Sequence, residues 1–401
     1  MRASGDVDLA GMRLRAQGIA GPRAASPADV VTRLGAVQAQ DYLGALWAVG
    51  LRTVDSTEAD VEQALASGSI VRTWPMRGTL HFVAAADARW ILELLAPRML
   101  ARAAGRLRAL GLDEATFARA RKALSRPLEG AGRLTRPEAY ATLERAGIST
   151  AEQRGLHILF QLAHDRFLCF GPRQGKQHTL VLFDAWLPRS KRLPREEALA
   201  ELAARYVTGH GPATTTDFAW WSGLSLADAR RALDLARPRI QEHVAGGTRY
   251  WLAASGPTRP ATTPARARDA YLLPAFDELL VAFKDRSATL DPAHALRANA
   301  GGGIFYPVVV VNGRVVATWK RSIARGEVVV TPAGFEALTA AQEKALARPL
   351  ARYAAFLGVK GRLARPVRAA RRPRASGRDD GHFEPPERPR RGEPKGYSDP
   401  P

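Results

Sequence analysis

One pattern recurs three times in the first 255 residues and constrains the fold more than any other feature. Helical segments are followed each time by a hairpin that is rich in basic and aromatic residues. The first hairpin is predicted over residues 67–83, where apolar residues recur on both sides of Gly78, and the others over 166–182 and 241–253. Helix-turn-helix followed by a hairpin is the winged-helix plan, so the sequence predicts three tandem winged helices.

The character of the sequence changes beyond residue 270. An Asn312-Gly313 turn between two β-branched runs predicts a hairpin, and a closing helix is predicted over about 332–357. We therefore expect an α+β fold of three tandem winged-helix domains followed by a small C-terminal β-barrel-like domain. The expected boundaries are 8–125 for the first winged helix with a helical bridge, 126–190 for the second, 191–258 for the third, 266–365 for the β-rich domain and 366–401 for a disordered tail.

Length and composition exclude several classes of protein. At about 150 residues per domain, 401 residues favour two to four modules, and 46% hydrophobic content excludes a globally disordered chain. A single cysteine, Cys169, excludes an internal disulfide and a Cys-based zinc site, and the eight histidines lack ligand spacing. We therefore expect no metal and no other cofactor.

No apolar run approaches the roughly 18 residues of a membrane span, and the N-terminus lacks the pattern of a signal peptide. These features predict a cytoplasmic protein, associated with the nucleoid, that contacts no membrane.

The charge is strongly basic, with 59 Lys and Arg against 39 Asp and Glu, a formal net charge of +20. Residues 361–401 hold 11 basic and 6 acidic residues, so +5 lies there and +15 on the first 360 residues. A body this basic attracts polyanions, of which nucleic acid is the commonest in a cytosol. An arginine-rich composition from a GC-biased genome is the alternative, and composition alone does not separate the two.

A pair of glutamines stands out in the segment Val37-Gln38-Ala39-Gln40-Asp41-Tyr42. Side chains two positions apart face the same way on an extended segment but not on a helix. Joint action of Gln38 and Gln40 therefore requires the helix to break between Gly35 and Tyr42. Taken alone, a Gln-x-Gln pattern favours a structural role.

Residues 36–52, together with 72–81, resemble the AlkZ/YcaQ-type family of winged-helix DNA glycosylases. Residues 272–278 and 284–286 are similar to the C-terminal β-domain of that family, and the resemblance extends from about residue 8 to 365. It implies a concave DNA-binding surface and hydrolysis of the N-glycosidic bond of alkylated purines in double-stranded DNA by a monomer. Gln38-Ala39-Gln40 matches the Gln-x-Gln subclass, which is associated with unhooking interstrand crosslinks.

The chemistry of such a reaction fits uncharged catalytic residues. An N7-alkylated guanine already carries a positive charge and leaves without protonation, while oxocarbenium character develops on the sugar. The site must therefore supply a positioned water and negative potential, which preorganised amide oxygens provide. We assign these roles to Gln38 and Gln40. Asp41 is an alternative base, although a helix N-cap for the segment that begins at Tyr42 is the simpler role for it.

Further residues are predicted to contact DNA or support catalysis. They are Arg72, Arg77, Thr79 and His81 on the first hairpin, and Arg173 and Lys176 at the tip of the second. Arg77, Thr79 and His81 alternate and therefore share one face, which we expect to line the DNA surface beside the glutamines. A buried core position is an equal alternative for His81, and Trp74 on the same hairpin is expected to pack.

A non-catalytic winged-helix regulator is the alternative function. Regulators normally bind palindromes as dimers, whereas three different winged helices in one chain suit sequence-independent binding. The enzyme is therefore favoured. A base crosslinked to the opposite strand cannot leave the helix freely, so we expect an open concave channel rather than a deep pocket.

Overall fold

The computed structural model describes residues 8–255 and 269–364, and the predicted disordered tail at 366–401 lies outside them. Helices and strands are mixed along the chain, so the predicted α+β class is confirmed. Within the described part, none of the helices combines the length and apolar character that crossing a bilayer demands.

The helices are α1 (Leu9–Ala16), α2 (Pro27–Leu34), α3 (Tyr42–Gly50), α4 (Glu58–Ala66), α5 (Ala88–Ala109), α6 (Glu114–Leu128), α7 (Arg136–Arg145), α8 (Arg154–His164), α9 (Phe183–Trp186), α10 (Arg195–His210), α11 (Thr215–Ser222), α12 (Leu226–Leu235), α13 (Glu278–Val281), α14 (Ala295–Ala298), α15 (Ala340–Ala345) and α16 (Ala347–Phe356), with a 3-10 turn at Pro292–His294. The strands are β1 (Val37–Gln38), β2 (Ile70–Met76), β3 (Thr79–Ala84), β4 (Leu134–Thr135), β5 (Leu168–Phe170), β6 (Thr179–Leu182), β7 (Ile240–Ala245), β8 (Thr248–Ala253), β9 (Ala270–Leu273), β10 (Val308–Val311), β11 (Arg314–Ala324), β12 (Glu327–Gly334) and β13 (Lys360–Leu363).

Local signals set where α2 and α3 begin and end. Ser26 and Asp29 form a reciprocal capping box at the start of α2, with Pro27 as its first residue. The helix ends because Gly35 adopts a φ of 75°, a left-handed conformation that favours glycine. The chain then runs extended through β1 and enters α3 at Tyr42. The helix break that joint action of the two glutamines requires is therefore present.

The first two predicted hairpins join into one sheet. Six strands pair in the order β1-β3-β2-β5-β6-β4, with Arg72 of the first hairpin opposite Phe170 of the second. The third hairpin, β7-β8, forms a separate two-stranded sheet. The sheet is thus continuous across the predicted boundary at residue 125. The identification of each segment as a winged helix, and the domain boundaries, remain predictions.

The C-terminal strands form a half-barrel with the order β13-β12-β11-β10-β9, in which β9 and β13 stand at the two ends. The predicted hairpin turn at Asn312-Gly313 connects β10 and β11. The predicted helix from 332 starts later than expected, because Pro332 pairs opposite Trp319 inside β12. The helix start is set instead by Thr339, whose side chain accepts a hydrogen bond from the Gln342 amide.

The first hairpin, β2-β3, contributes to three hydrophobic cores. Phe82 packs with α3 and the C-terminal sheet. Met76 and Val83 pack with α10 to α12, while Trp74 packs with the second module. The Trp74 ring contacts Phe160 and Phe170, so the expected packing role of Trp74 is confirmed. The β2-β3 hairpin therefore connects the three hydrophobic cores.

A buried ion pair attaches the C-terminal domain to the first module. The Arg52 guanidinium, just beyond α3, donates two hydrogen bonds of 2.8 Å to the Asp277 carboxylate, and both side chains are inaccessible. The remaining donors reach Gln17 and the carbonyl of Ala48. Asp277 therefore links the C-terminal domain to the first module.

We expect Arg52→Met to lower the free energy of unfolding by about 3–5 kcal/mol, because the Asp277 carboxylate would be left buried without its partner. Arg362→Met is the matched control, since it breaks an exposed ion pair with Glu327 that contributes at most about 1 kcal/mol. The urea midpoints of the purified variants measure both effects, and equal shifts in the two would contradict the role given to Arg52.

Candidate active site

The two glutamines lie side by side on an extended segment at the edge of the six-stranded sheet. Gln38 stands opposite His81 in the pairing of β1 with β3, and the Ala39 amide donates to the Leu80 carbonyl at 2.8 Å. Gln38 is 8% exposed and Gln40 is half-buried. Val37 and Ala39 belong to an apolar core, so the backbone of the motif is anchored there, and Gln40 is the more accessible of the two glutamines.

The amide oxygens of both glutamines are held by backbone donors. The backbone N–H of Gln40 donates to Gln38 Oε1 at 3.4 Å, and the backbone N–H of Leu80 donates to Gln40 Oε1 at 3.3 Å. Neither Nε2 atom forms a hydrogen bond with the described chain. Each amide oxygen has a second lone pair, so both side chains retain capacity to bind water or a ligand.

Arg72 fixes the residue between the glutamines. Its Nε and Nη2 donate to the Ala39 carbonyl at 3.2 and 2.9 Å, and its guanidinium lies over the rings of Tyr42 and Phe170 at 5.4 and 5.3 Å. Arg72 is only 7% exposed. Its observed contacts position the motif and leave little surface for a phosphate.

Asp41 caps α3 and accepts a hydrogen bond from the Gly44 amide at 3.1 Å. The N-cap role is therefore the one that its contacts show. The cap also fixes where the extended segment ends, directly after Gln40.

A buried carboxylate that the sequence did not point to lies directly behind Gln38. Glu278 Oε1 accepts a hydrogen bond from the Gln38 amide at 2.9 Å, and Oε2 accepts one from Trp221 Nε1 at 3.1 Å. The side chain is fully buried, with His210 Nε2 at 3.4 Å from Oε2. No local sequence pattern identifies this contact, because Gln38 and Glu278 are 240 positions apart.

The charge state of Glu278 follows from opposing effects. Burial raises the pKa of this carboxyl, but the hydrogen bond with His210 and the positive charge of Arg77 outweigh burial, so the pKa lies below its usual value. Glu278 is thus an anion in a low-dielectric setting beneath the motif. A fixed negative charge placed there favours positive charge nearby.

The face formed by Arg77, Thr79 and His81 is turned inward. His81 is fully buried, and its Nδ1 donates to the Thr79 carbonyl at 2.9 Å while Nε2 faces Arg77 Nη2 at 3.4 Å. Arg77 Nη1 donates to the Val281 carbonyl at 3.3 Å. The expectation that His81 lines a DNA surface is corrected by its burial: β3 lies between β1 and β2 and is covered on both faces.

The tip of the second hairpin approaches the motif through Tyr42. Arg173 donates to Glu62 at 2.5 Å and lies 5.0 Å from the centre of the Tyr42 ring, whose hydroxyl donates to Glu62 at 2.6 Å. Burial and the Glu62 hydrogen bond raise the pKa of Tyr42 above its usual range. Lys176 is exposed at the tip. The structure thus brings Arg173 to the motif and leaves Lys176 on the outside.

The concavity beside Tyr42, Arg72 and Phe170 holds only about 10 Å³. A nucleobase does not fit into a space of that size. Across residues 8–255 and 269–364, no group of three or more His, Cys, Asp or Glu side chains is arranged to hold a metal ion.

Comparison with known proteins decides the family. The model of the family described as DNA glycosylase AlkZ-like matches residues 31–356, a segment that contains Gln38, Gln40 and Glu278. The chain belongs to the AlkZ-like family of DNA glycosylases. The resemblance carried by the Gln-x-Gln segment is therefore confirmed.

Two similar proteins come from Streptomyces sahachiroi. An interstrand DNA cross-link repair glycosylase is 30% identical over 325 residues, covering 77% of this chain and 85% of the relative. The solved structure of the DNA glycosylase AlkZ matches with a TM-score of 0.74 at 27% identity, covering 91% of this chain and all of that one. The AlkZ-like fold therefore extends over nearly the whole chain.

We expect His81 to remain neutral from pH 7.5 to pH 5, because burial and then the charge of Arg77 lower its pKa to about 3. The ¹⁵N chemical shifts of its imidazole should report the Nδ1-protonated tautomer throughout this range. The urea-unfolded chain is the control, in which the same group titrates near ~6.5.

The contribution of His81 to stability depends on pH, because its pKa differs between the folded and the unfolded chain. Because the folded pKa lies below the unfolded one, the stability that neutral His81 contributes is complete above about pH 6.5 and is lost as the pH falls towards 3. Titration of His81 between pH 5 and 7.5 in the folded protein would contradict its buried, neutral assignment.

Proposed function

We propose that the chain is a monofunctional DNA glycosylase that hydrolyses the N-glycosidic bond of cationic N7-alkylated purines, including purines crosslinked between strands. The observation that carries the proposal is the arrangement of Gln38 and Gln40 on one extended segment with ionised Glu278 behind it. The relative at 30% identity, an interstrand DNA cross-link repair glycosylase, supports action on crosslinked strands.

Hydrolysis of such a substrate needs little acid catalysis. The alkylated base already carries the positive charge that makes it a good leaving group, and the transition state adds positive charge to the sugar. The amide oxygens of Gln38 and Gln40 present fixed dipoles to that charge, and the buried Glu278 carboxylate adds negative potential from below. Glu278 is fully buried and therefore acts through its field and through the Gln38 backbone.

The nucleophile in this proposal is a water held by the two glutamines. Each amide oxygen keeps one free lone pair, and each Nε2 lacks a partner in the described chain, so a water between the side chains has both donors and acceptors. Neither amide titrates near neutral pH. The glutamines orient the water, and the developing charge on the sugar makes it reactive.

The DNA surface in this proposal is open and basic. A base that is tied to both strands cannot leave the helix freely, so the proposal calls for an open surface beside the glutamines. Three tandem winged helices and a C-terminal half-barrel would carry most of the net charge of +20 along a duplex, since +15 lies on the first 360 residues, with exposed Lys176 contacting a phosphate. One chain supplies the whole surface, so we propose a monomer that works on the DNA of the nucleoid.

We expect Gln38→Ala and Gln40→Ala each to slow base release at least about a hundredfold, which is the usual effect of removing one preorganised group that stabilises transition-state charge. The substrates are a duplex with N7-methylguanine and a duplex with an N7-guanine interstrand crosslink. Released base is measured by chromatography, and duplex affinity by fluorescence anisotropy should change less than about threefold.

Gln63→Ala is the matched control, since Gln63 is exposed on α4 and lies outside the motif. Its rate should equal that of the unaltered protein. Tight duplex binding by the unaltered protein without release of base from either substrate would overturn the enzymatic proposal and favour a non-catalytic DNA-binding protein.

We expect Glu278→Gln to slow base release about tenfold or more while duplex affinity stays unchanged, because a unit charge near a cationic transition state contributes on the order of 1–3 kcal/mol. Glutamine has the same size as glutamate, and the thermal unfolding midpoint of the variant protein shows whether it is folded. A folded Glu278→Gln protein with an unaltered rate would limit Glu278 to a structural role.

A further inference from the structure

A cavity of about 330 Å³ opens at the end of α3 that is remote from the Gln motif. Asp41 and Leu51, the residues that flank α3, are ten positions apart, which places the two sites about 15 Å apart along the helix axis. The walls come from the loop before α2, the end of α3, β9 and the start of α16. The cavity is therefore distinct from the catalytic motif.

Three guanidinium groups line this cavity: Arg23 from the loop, and Arg348 and Arg352 from α16. Arg348 and Arg352 are four positions apart and so share one face of the helix. Arg352 Nη2 donates to the carbonyls at the end of α3, among them those of Gly50 and Thr53 at 3.3 and 3.4 Å. Arg23 and Arg348 form no hydrogen bond or ion pair with any other described residue.

The three charges repel one another. Burial, and then the positive charges of Arg23 and Arg348, lower the pKa of Arg352 to about 9. Burial and the charge of Arg348 also lower the pKa of Arg23. Arg23 and Arg352 are half-buried and Arg348 is exposed at the mouth of the cavity. Like charges near one another are costly, and a bound anion offsets that cost.

The composition of the walls specifies the anion. Three arginines and the carboxylate of Asp269 leave a net charge of +2 on the lining, with Asp55 nearby but outside it. A phosphate monoester carries about −1.5 to −2 at neutral pH and three strong acceptor oxygens, which suits three guanidinium donors. The ring of Tyr271 and the side chain of Leu51 provide an apolar wall beside the arginines.

We propose that this cavity binds a phosphate monoester of nucleotide size, with its phosphate among Arg23, Arg348 and Arg352 and its base against Tyr271. The volume lies in the lower part of the range of about 300–1,000 Å³ typical of small-molecule sites. The same chemistry is offered by a free nucleotide and by the 5′-phosphorylated end of a DNA strand. The proposal stands independently of the catalytic one, because it uses none of the motif residues.

Calorimetric titration of the full chain with dGMP and with deoxyguanosine tests the site. We expect dGMP to bind and deoxyguanosine to bind at least about tenfold more weakly, because it lacks the phosphate that the arginines hold. Arg23→Gln and Arg348→Gln should each weaken dGMP binding about tenfold or more. Arg189→Gln removes an equal charge from an exposed position outside the lining and should leave the affinity unchanged.

The thermal midpoints of the three variants confirm that each is folded. A short single strand with a 5′-phosphate distinguishes the two sources, and the same strand without the phosphate is its control. Tighter binding of the phosphorylated strand than of dGMP indicates that the site takes a strand end. Tighter binding of dGMP indicates that it takes a free nucleotide. The proposal is overturned if dGMP does not bind, if Arg23→Gln and Arg348→Gln bind it normally, or if Arg189→Gln weakens it equally.

Discussion

Two consecutive buried carboxylates hold the molecule and its candidate active site together. Asp277 is neutralised by Arg52 of the first module, and Glu278 accepts the hydrogen bond of the Gln38 amide. Buried carboxylates are tolerated only where such partners are complete. Since the two residues are neighbours in the chain, the contact that attaches the C-terminal domain also sets the depth of Glu278 beneath the glutamines. Domain attachment and site geometry are therefore not independent.

The protein as a whole is positively charged, whereas the buried group behind the candidate active site, Glu278, is a carboxylate. A net charge of +20 attracts a polyanion, whereas a cationic transition state calls for negative potential at the reacting centre. A carboxylate on the protein surface would repel the phosphates of a bound duplex. Burial of Glu278 behind Gln38 keeps the negative charge away from the DNA backbone. In the proposed mechanism, the uncharged side chains of Gln38 and Gln40 are the groups that face the substrate.

Local signals in the sequence were sufficient to predict the hairpins and the cap at Asp41, because each depends on a few adjacent residues. Contacts between distant segments left no such signal. The Glu278 contact spans 240 positions, and the sheet joining two hairpins depends on one pairing between them. Alternation along β3 showed that Arg77, Thr79 and His81 share a face, but alternation does not tell whether that face is covered.

The hairpin β2-β3, shared among three cores, limits how this chain can be divided. A fragment cut after the first module would expose the side of β2 that meets β5, and open strand edges recruit other chains. It would also bring Trp74 into water, since its packing partners lie on later elements. The segments predicted as winged helices are consequently not independent, exchangeable domains. Recombination or circular permutation should succeed at exposed turns such as Gly246-Gly247.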